Sequence, residues 1–272
     1  MKAPPRFFRA SIRGVKDQLL TQSAWWAGNA LEAVLLYRAL RRKFFGKYFV
    51  FYAYLSYVLV EQLVAFGVYV FTPAFYTKFY WSMQFVSITI GYCVIWEIFR
   101  QVFGPYPGAR KVTRNLLAAI LVILLCKVFL NALYHWRLDA PARDAADLER
   151  YLRVVQASLL VAIIALVAYY AIPLGKNVKG MILGYGIFIG LTVMQLAVRS
   201  YLGTSFEPVW KHLAWVSYSA ALVMWCATLW SYHPNPRPIA DGGPERDYEI
   251  LSTRTARLLG QIGSGVVRTM RP

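Results

Sequence analysis

Charge is scarce in this sequence, and acidic charge scarcest. Only 16% of its 272 residues are charged, and 13 Asp and Glu stand against 30 Lys and Arg. Soluble domains run nearer a quarter charged. Cysteine is also rare: Cys93, Cys126 and Cys226 all lie inside apolar runs, and an odd count at such positions excludes a disulfide framework. Proline is missing from the interiors of those runs, since all 13 prolines fall outside them. The broken midplane helices of many secondary transporters therefore have no counterpart in the sequence.

Recognisable catalytic and metal motifs are missing as well. There is no HExxH, no CxxC and no phosphate-cradling glycine loop. His135, His212 and His233 are far apart, and no Ser–His–Asp set stands out. The last apolar run, Leu213–Tyr232, has no lysine for a retinal Schiff base. No catalytic residue, metal or cofactor is expected on these grounds.

What the chain has is apolar length. Hydrophobic residues make up 58% of it, in seven runs: Ala24–Leu40, Phe49–Phe71, Phe79–Phe103, Asn115–Tyr134, Val154–Ile172, Met181–Tyr201 and Leu213–Tyr232. Each has the length a helix needs to cross a bilayer. The expected fold is an all-α integral membrane protein, a seven-transmembrane-helix bundle over residues 1–232. Its basic N-terminal segment, Met1–Leu20, has the spacing of a helix lying on the membrane surface. The first run is expected to remain as a signal anchor, because no small-residue cleavage site follows it. Residues 233–272 read as a cytoplasmic polar linker and an amphipathic tail helix, with Leu251, Leu258, Leu259, Ile262, Val266 and Met270 on one face.

Lys and Arg favour the loops after the first, third and fifth runs, which places those loops in the cytoplasm and the N-terminus outside, in a plasma or inner membrane. Trp25, Trp26, Trp81, Trp136 and Trp210 then gather at the outer interface. The net charge of +17 is spread over short loops. That pattern suits the bilayer and its anionic headgroups rather than nucleic acid. Gly180 and Gly184, and Gly186 and Gly190, have the GxxxG spacing that lets helices approach closely. Ala142–Arg150 reads as a short surface helix in the loop His135–Arg153.

The candidate functional residues are polar groups inside apolar runs, where each is costly unless partnered. Counting about 1.5 Å per residue, Glu61 and Lys127 share a depth of roughly 18 Å, and Gln195 lies near it. Glu32, Gln84 and Asn131 belong to the middle or outer half. These six are expected to form a chamber opening outward, with Lys127 paired to Glu61. At the inner end Glu97 and Arg100, three apart, are expected to pair. With Arg110, Lys111 and Arg114 they offer a surface to a cytoplasmic protein partner. The expected function is a membrane-embedded, receptor-like sensor for a small or lipid ligand. The alternatives are a proton-coupled transporter, or an intramembrane lipid-modifying enzyme with a glutamate as general base.

The topology has a direct test. In a cysteine-free background, single cysteines at Lys78 and Lys211 should react with an impermeant thiol reagent outside intact cells, and one at Arg110 should not. Labelling at Arg110 alone inverts the orientation.

Overall fold

The computed structural model describes residues 12–135, 141–202, 207–233, 235–236, 250 and 253. Within these, the side chains of 12–22, 24, 77–78, 131–135, 141–146, 199–202, 207–212 and 214–215 are not described. Among the described residues there are seven helices: α1 (Ile12–Arg41), α2 (Phe49–Phe71), α3 (Tyr76–Phe103), α4 (Pro107–His135), α5 (Pro141–Tyr169), α6 (Lys176–Leu202) and α7 (Glu207–Leu229). The expected tail helix lies outside the described residues.

Five helices, α2 to α6, are long and apolar enough to cross a membrane. Their outward faces carry exposed Val60, Phe71, Ile123, Phe129 and Val161, which is the surface of a protein whose solvent is lipid. The described parts of α1 and α7 do not meet the same measure. Asn29, Glu32 and Arg38 interrupt α1, and the described apolar part of α7 covers only Val216–Leu229.

Several helices start earlier than their apolar runs. Proline fixes φ and needs no amide partner in a first turn, so Pro107 and Pro141 open α4 and α5 instead of ending anything. The expected surface helix Ala142–Arg150 is therefore the first third of α5. Likewise, from Ile12 onward the expected surface segment is continuous with the first run in one 30-residue helix.

α1 and α5 end alike. The Phe44 and Lys43 amides donate to Ala39 and Leu40 carbonyls, with Lys43 at φ 56°. Ile172 and Ala171 repeat the pattern on Val167 and Ala168, with Ala171 at φ 47°. Both are Schellman closures with a non-glycine residue in the left-handed position.

α1, α2, α3, α5, α6 and α7 close into a ring, each packed on the next. α3 lies most centrally, touching α2, α4, α5 and α6. α4 stands outside the ring, packed on α5 with a small contact to α3 and, among the described residues, none to α2. The half of the bundle that holds the short connections 42–48, 104–106 and 170–175 is dense and aromatic. There Trp225 sits edge-on to Phe51 at 5.1 Å and Phe99 stacks near Phe103 at 5.5 Å. This half ends in exposed Arg41, Arg42, Lys47, Arg100, Lys176 and Lys179 and is called the basic end below.

The tightest helix pair is α6 on α7. A Cβ on Gly180 would overlap Thr228, and one on Gly184 would overlap the Trp225 indole. The first GxxxG pair thus does what its spacing suggested, whereas Gly190 faces open space. Gly184→Ala should destabilise the protein in detergent by about 1–3 kcal/mol, because a rigid buried ring has to move. Gly190→Ala should leave the melting temperature unchanged or raise it. Equal effects in thermal melts would mean that the α6–α7 contact is not limiting.

Candidate functional site

The polar residues converge away from the basic end, and their centre is an arginine of α5. Glu149, Arg153 and Gln156 are spaced four and three apart, so they share one helix face. That face points into the ring: Arg153 is 1% exposed, Gln156 fully buried and Glu149 nearly so. The Arg153 Nε lies 3.8 Å from Glu149 Oε1. One terminal nitrogen donates to Gln156 Oε1 at 3.3 Å, and the guanidinium lies 5.5 Å from the Phe188 ring centre. Gln156 Nε2 in turn donates to the Ile88 carbonyl at 2.8 Å, and Gln84 Nε2 donates to Glu149. A charge in so poor a solvent has to bring its counter-charge and hydrogen bonds with it.

The other helices add to this centre. Tyr54 on α2 is fully enclosed, is hydrogen-bonded to Ser87 of α3, and lies within electrostatic reach of Arg153, Glu32 and Glu61. Glu61, also on α2, interacts chiefly with Arg153 and Glu149. Tyr185 of α6 packs edge-on to Tyr54 at 5.9 Å, and Gly91 leaves the room its hydroxyl and Gln156 occupy. From α7, Tyr218 donates to Glu32 Oε1 of α1 at 2.6 Å. Every helix of the ring thus delivers a polar side chain, and among the described residues α4 delivers none.

Some of these atoms have no hydrogen-bond partner among the described residues. They are Glu32 Oε2, both amide atoms of Asn29 one turn earlier on α1, the Tyr185 hydroxyl, and the Arg153 Nε, whose contact with Glu149 is an ion pair too long for a hydrogen bond. All are buried. Buried polar atoms are satisfied in the great majority of cases; the Thr113 hydroxyl and the Trp225 indole nitrogen are likewise unpartnered among the described residues, but most of the open valences gather here.

The six residues expected to form the chamber divide. Glu32, Glu61 and Gln84 belong to it. Gln195 is buried but ties α6 to α7, donating to Ser217 and to the Leu213 carbonyl at 3.1 Å. The side chain of Asn131 lies outside the described residues. Lys127 is a correction: it is exposed on α4, about a quarter-turn round the helix from the stripe Leu117, Leu121, Leu124 and Val128 that packs inward. With no contact between α2 and α4, the expected Lys127–Glu61 pair does not form, and Arg153 supplies the cation that Lys127 was assigned. The missed residues Glu149, Arg153 and Gln156 sat just before or inside the fifth apolar run. Their shared helix face was the available signal.

At the basic end, Glu97 is also corrected. It is 8% exposed and makes no ion pair with Arg100; its two carboxylate oxygens accept the Val50 and Phe51 amides of α2 at 3.2 and 2.7 Å. It caps the start of a neighbouring helix whose own N-terminal residue, Tyr48, offers no side-chain cap. Arg100, Arg110, Lys111 and Arg114 remain exposed. A second set of bonds ties the chain after α7 to this end. Asn177 of α6 donates to the Thr228 and Ser231 carbonyls at 3.2 and 2.8 Å and accepts the His233 amide. Asn235 bridges the Gln101 carbonyl and the Gly175 amide.

No known family model, curated protein or solved structure matches the chain.

Breaking a buried ion pair on one side costs about 3–5 kcal/mol, because the other charge is stranded. Arg153→Met and Glu149→Met should each lower thermal stability on that scale, and the double variant should lose less than their sum. Lys127→Met, on the outer face of α4, should change stability by no more than about 0.5 kcal/mol. Strict additivity in the first cycle would remove the ion pair as the organiser of the cluster.

Proposed function

We propose that the chain is a seven-span, receptor-like membrane module that holds a small polar ligand within its ring, in the half away from the basic end. The observation that carries this reading is the convergence of polar side chains from all six ring helices, with Glu32 Oε2 and Asn29 unpartnered among the described residues. Structural glue between helices would leave no such atoms, because its purpose is mutual satisfaction.

The charges suggest the ligand's class. The cluster holds three carboxyl groups, Glu32, Glu61 and Glu149, and one described cation, Arg153. A ligand carrying an amine or another hydrogen-bond-donating cation suits that imbalance and the open Glu32 and Asn29 acceptors. Helices that run unbroken through the ring favour a binding module over alternating access. The exposed Arg100, Arg110, Lys111 and Arg114 would present the basic end to an acidic protein partner. In this reading the basic end faces the cytoplasm.

The test begins with protein extracted from native membranes in mild detergent and analysed by mass spectrometry after denaturation. The expected result is a small amine-bearing molecule retained at close to one per chain. Glu32→Gln combined with Asn29→Leu should lose it without lowering the melting temperature, since both side chains have unused hydrogen-bonding capacity. Equal retention by that variant places the ligand elsewhere, and no retained molecule together with no thermal shift from small amines removes the reading.

A further inference from the structure

We propose that the cleft between the end of α1 and the end of α7 is a binding site for the phosphate headgroup of an anionic phospholipid. The cleft encloses about 590 Å³ and is lined by Val34, Tyr37, Arg38, Arg41, Arg42 and Trp230. Three guanidinium groups fall within five residues, and among the described residues no carboxylate lines the cleft. Arg41 and Arg42 are exposed, and among the described residues none of the three makes an ion pair. Like charges at this spacing repel, and a phosphate between them relieves the repulsion.

Arg38 is held ready for such a ligand. Its Nε donates to the Trp230 carbonyl at 2.9 Å, and its guanidinium carbon lies 3.8 Å from the centre of the Trp230 ring. Stacking and one hydrogen bond fix the plane of the group while leaving its terminal nitrogens uncommitted to Trp230. That is the geometry in which arginine grips phosphate with two parallel bonds. The C-terminal end of α1 opposes an anion, with about half a negative charge at most, against three formal positive charges on the arginines. The Schellman closure also ties up part of that end, since the Phe44 and Lys43 amides take the Ala39 and Leu40 carbonyls.

The surroundings select a lipid over a soluble phosphate. The cleft lies at the basic end, where α1 and α7 leave the apolar zone. Leu31 and Val34, which precede the arginines on the same face of α1, and Val223 on α7 are exposed apolar residues, and Val34 lines the cleft itself. Acyl chains would follow that flank with the headgroup in the cleft, and Trp230 and Tyr37 are amphipathic rings suited to the boundary. Arginines that only reached outward toward water would need neither the stacked tryptophan nor the enclosed volume. The cleft shares no residue with the chamber, and its assignment does not rest on the chamber's ligand.

Native mass spectrometry of the full chain in mild detergent tests the assignment. It uses equimolar dioleoylphosphatidylglycerol and dioleoylphosphatidylcholine, with inorganic phosphate in a separate arm. One phosphatidylglycerol per chain should be retained, at least about tenfold in preference to phosphatidylcholine. Arg41→Gln with Arg42→Gln, both exposed, should abolish the preference while the melting temperature holds. Lys176→Gln with Lys179→Gln removes the same charge from the same end outside the cleft and should preserve it. Equal retention of the two lipids overturns the proposal. So does a parallel loss in the lysine variant, which would mark diffuse surface charge. Phosphate binding as tightly as the lipid would assign the cleft to a soluble anion instead.

Discussion

A guanidinium buried among membrane-spanning helices cannot shed its proton, so its neighbours have to be arranged around it. In this protein that constraint acts through Arg153. Glu149 comes from the same helix face, Gln84 supports Glu149 from α3, and Gln156 links the arginine to the α3 backbone at Ile88. α3 and α5 are therefore held in register by polar contacts that have no substitute in lipid. The central position of α3, which also touches α2 and α6, follows from where those contacts have to be.

The two halves of the bundle solve different problems. Near the basic end, stability comes from close packing: glycines that admit Thr228 and Trp225, an aromatic core, and Glu97 closing the start of α2. Backbone groups at helix ends are the hardest to satisfy at a membrane boundary, and here side chains of neighbouring helices satisfy them. Asn177 and Asn235 extend the same device to the chain after α7. The opposite half gives up dense packing for polar groups, some with unused hydrogen-bonding capacity.

How much of this was legible in the sequence depends on which signal each feature left. The all-helical fold was, and so were the five helices long and apolar enough to cross a membrane, because apolar length is set by bilayer thickness and survives without any knowledge of packing. The close approach at Gly180 and Gly184 was, because only small residues allow it. The direction of Lys127 was not. α4 is apolar on every side, so no hydrophobic stripe distinguishes its packed face from its lipid face, and equal depth was mistaken for proximity. Arg153 failed for another reason: it precedes an apolar run and was read as loop, although Pro141 had started the helix twelve residues earlier. Glu97 was read against Arg100 on its own helix, whereas its actual partners, the Val50 and Phe51 amides, belong to another element. Local spacing is silent about contacts between elements.

α1 joins the ring only through α2 and α7, and this peripheral place gives it a particular role. It touches α7 at two polar points, Glu32 with Tyr218 and Arg38 with Trp230. The first borders the unpartnered atoms of the chamber, and the second builds the arginine cleft. A shift of α1 against α7 would alter both, so ligands at the two places would be thermodynamically linked, each changing the other's affinity by the same factor. The seam suits such a shift better than α6 and α7, which are locked by Gly180 and Gly184. It is held by a few polar contacts between otherwise apolar faces, and lipid lies on one side of it. Under the proposed function, and with no broken helix among the described residues, a shift of this peripheral helix would be the simplest way for a ligand within the ring to be felt at the basic end.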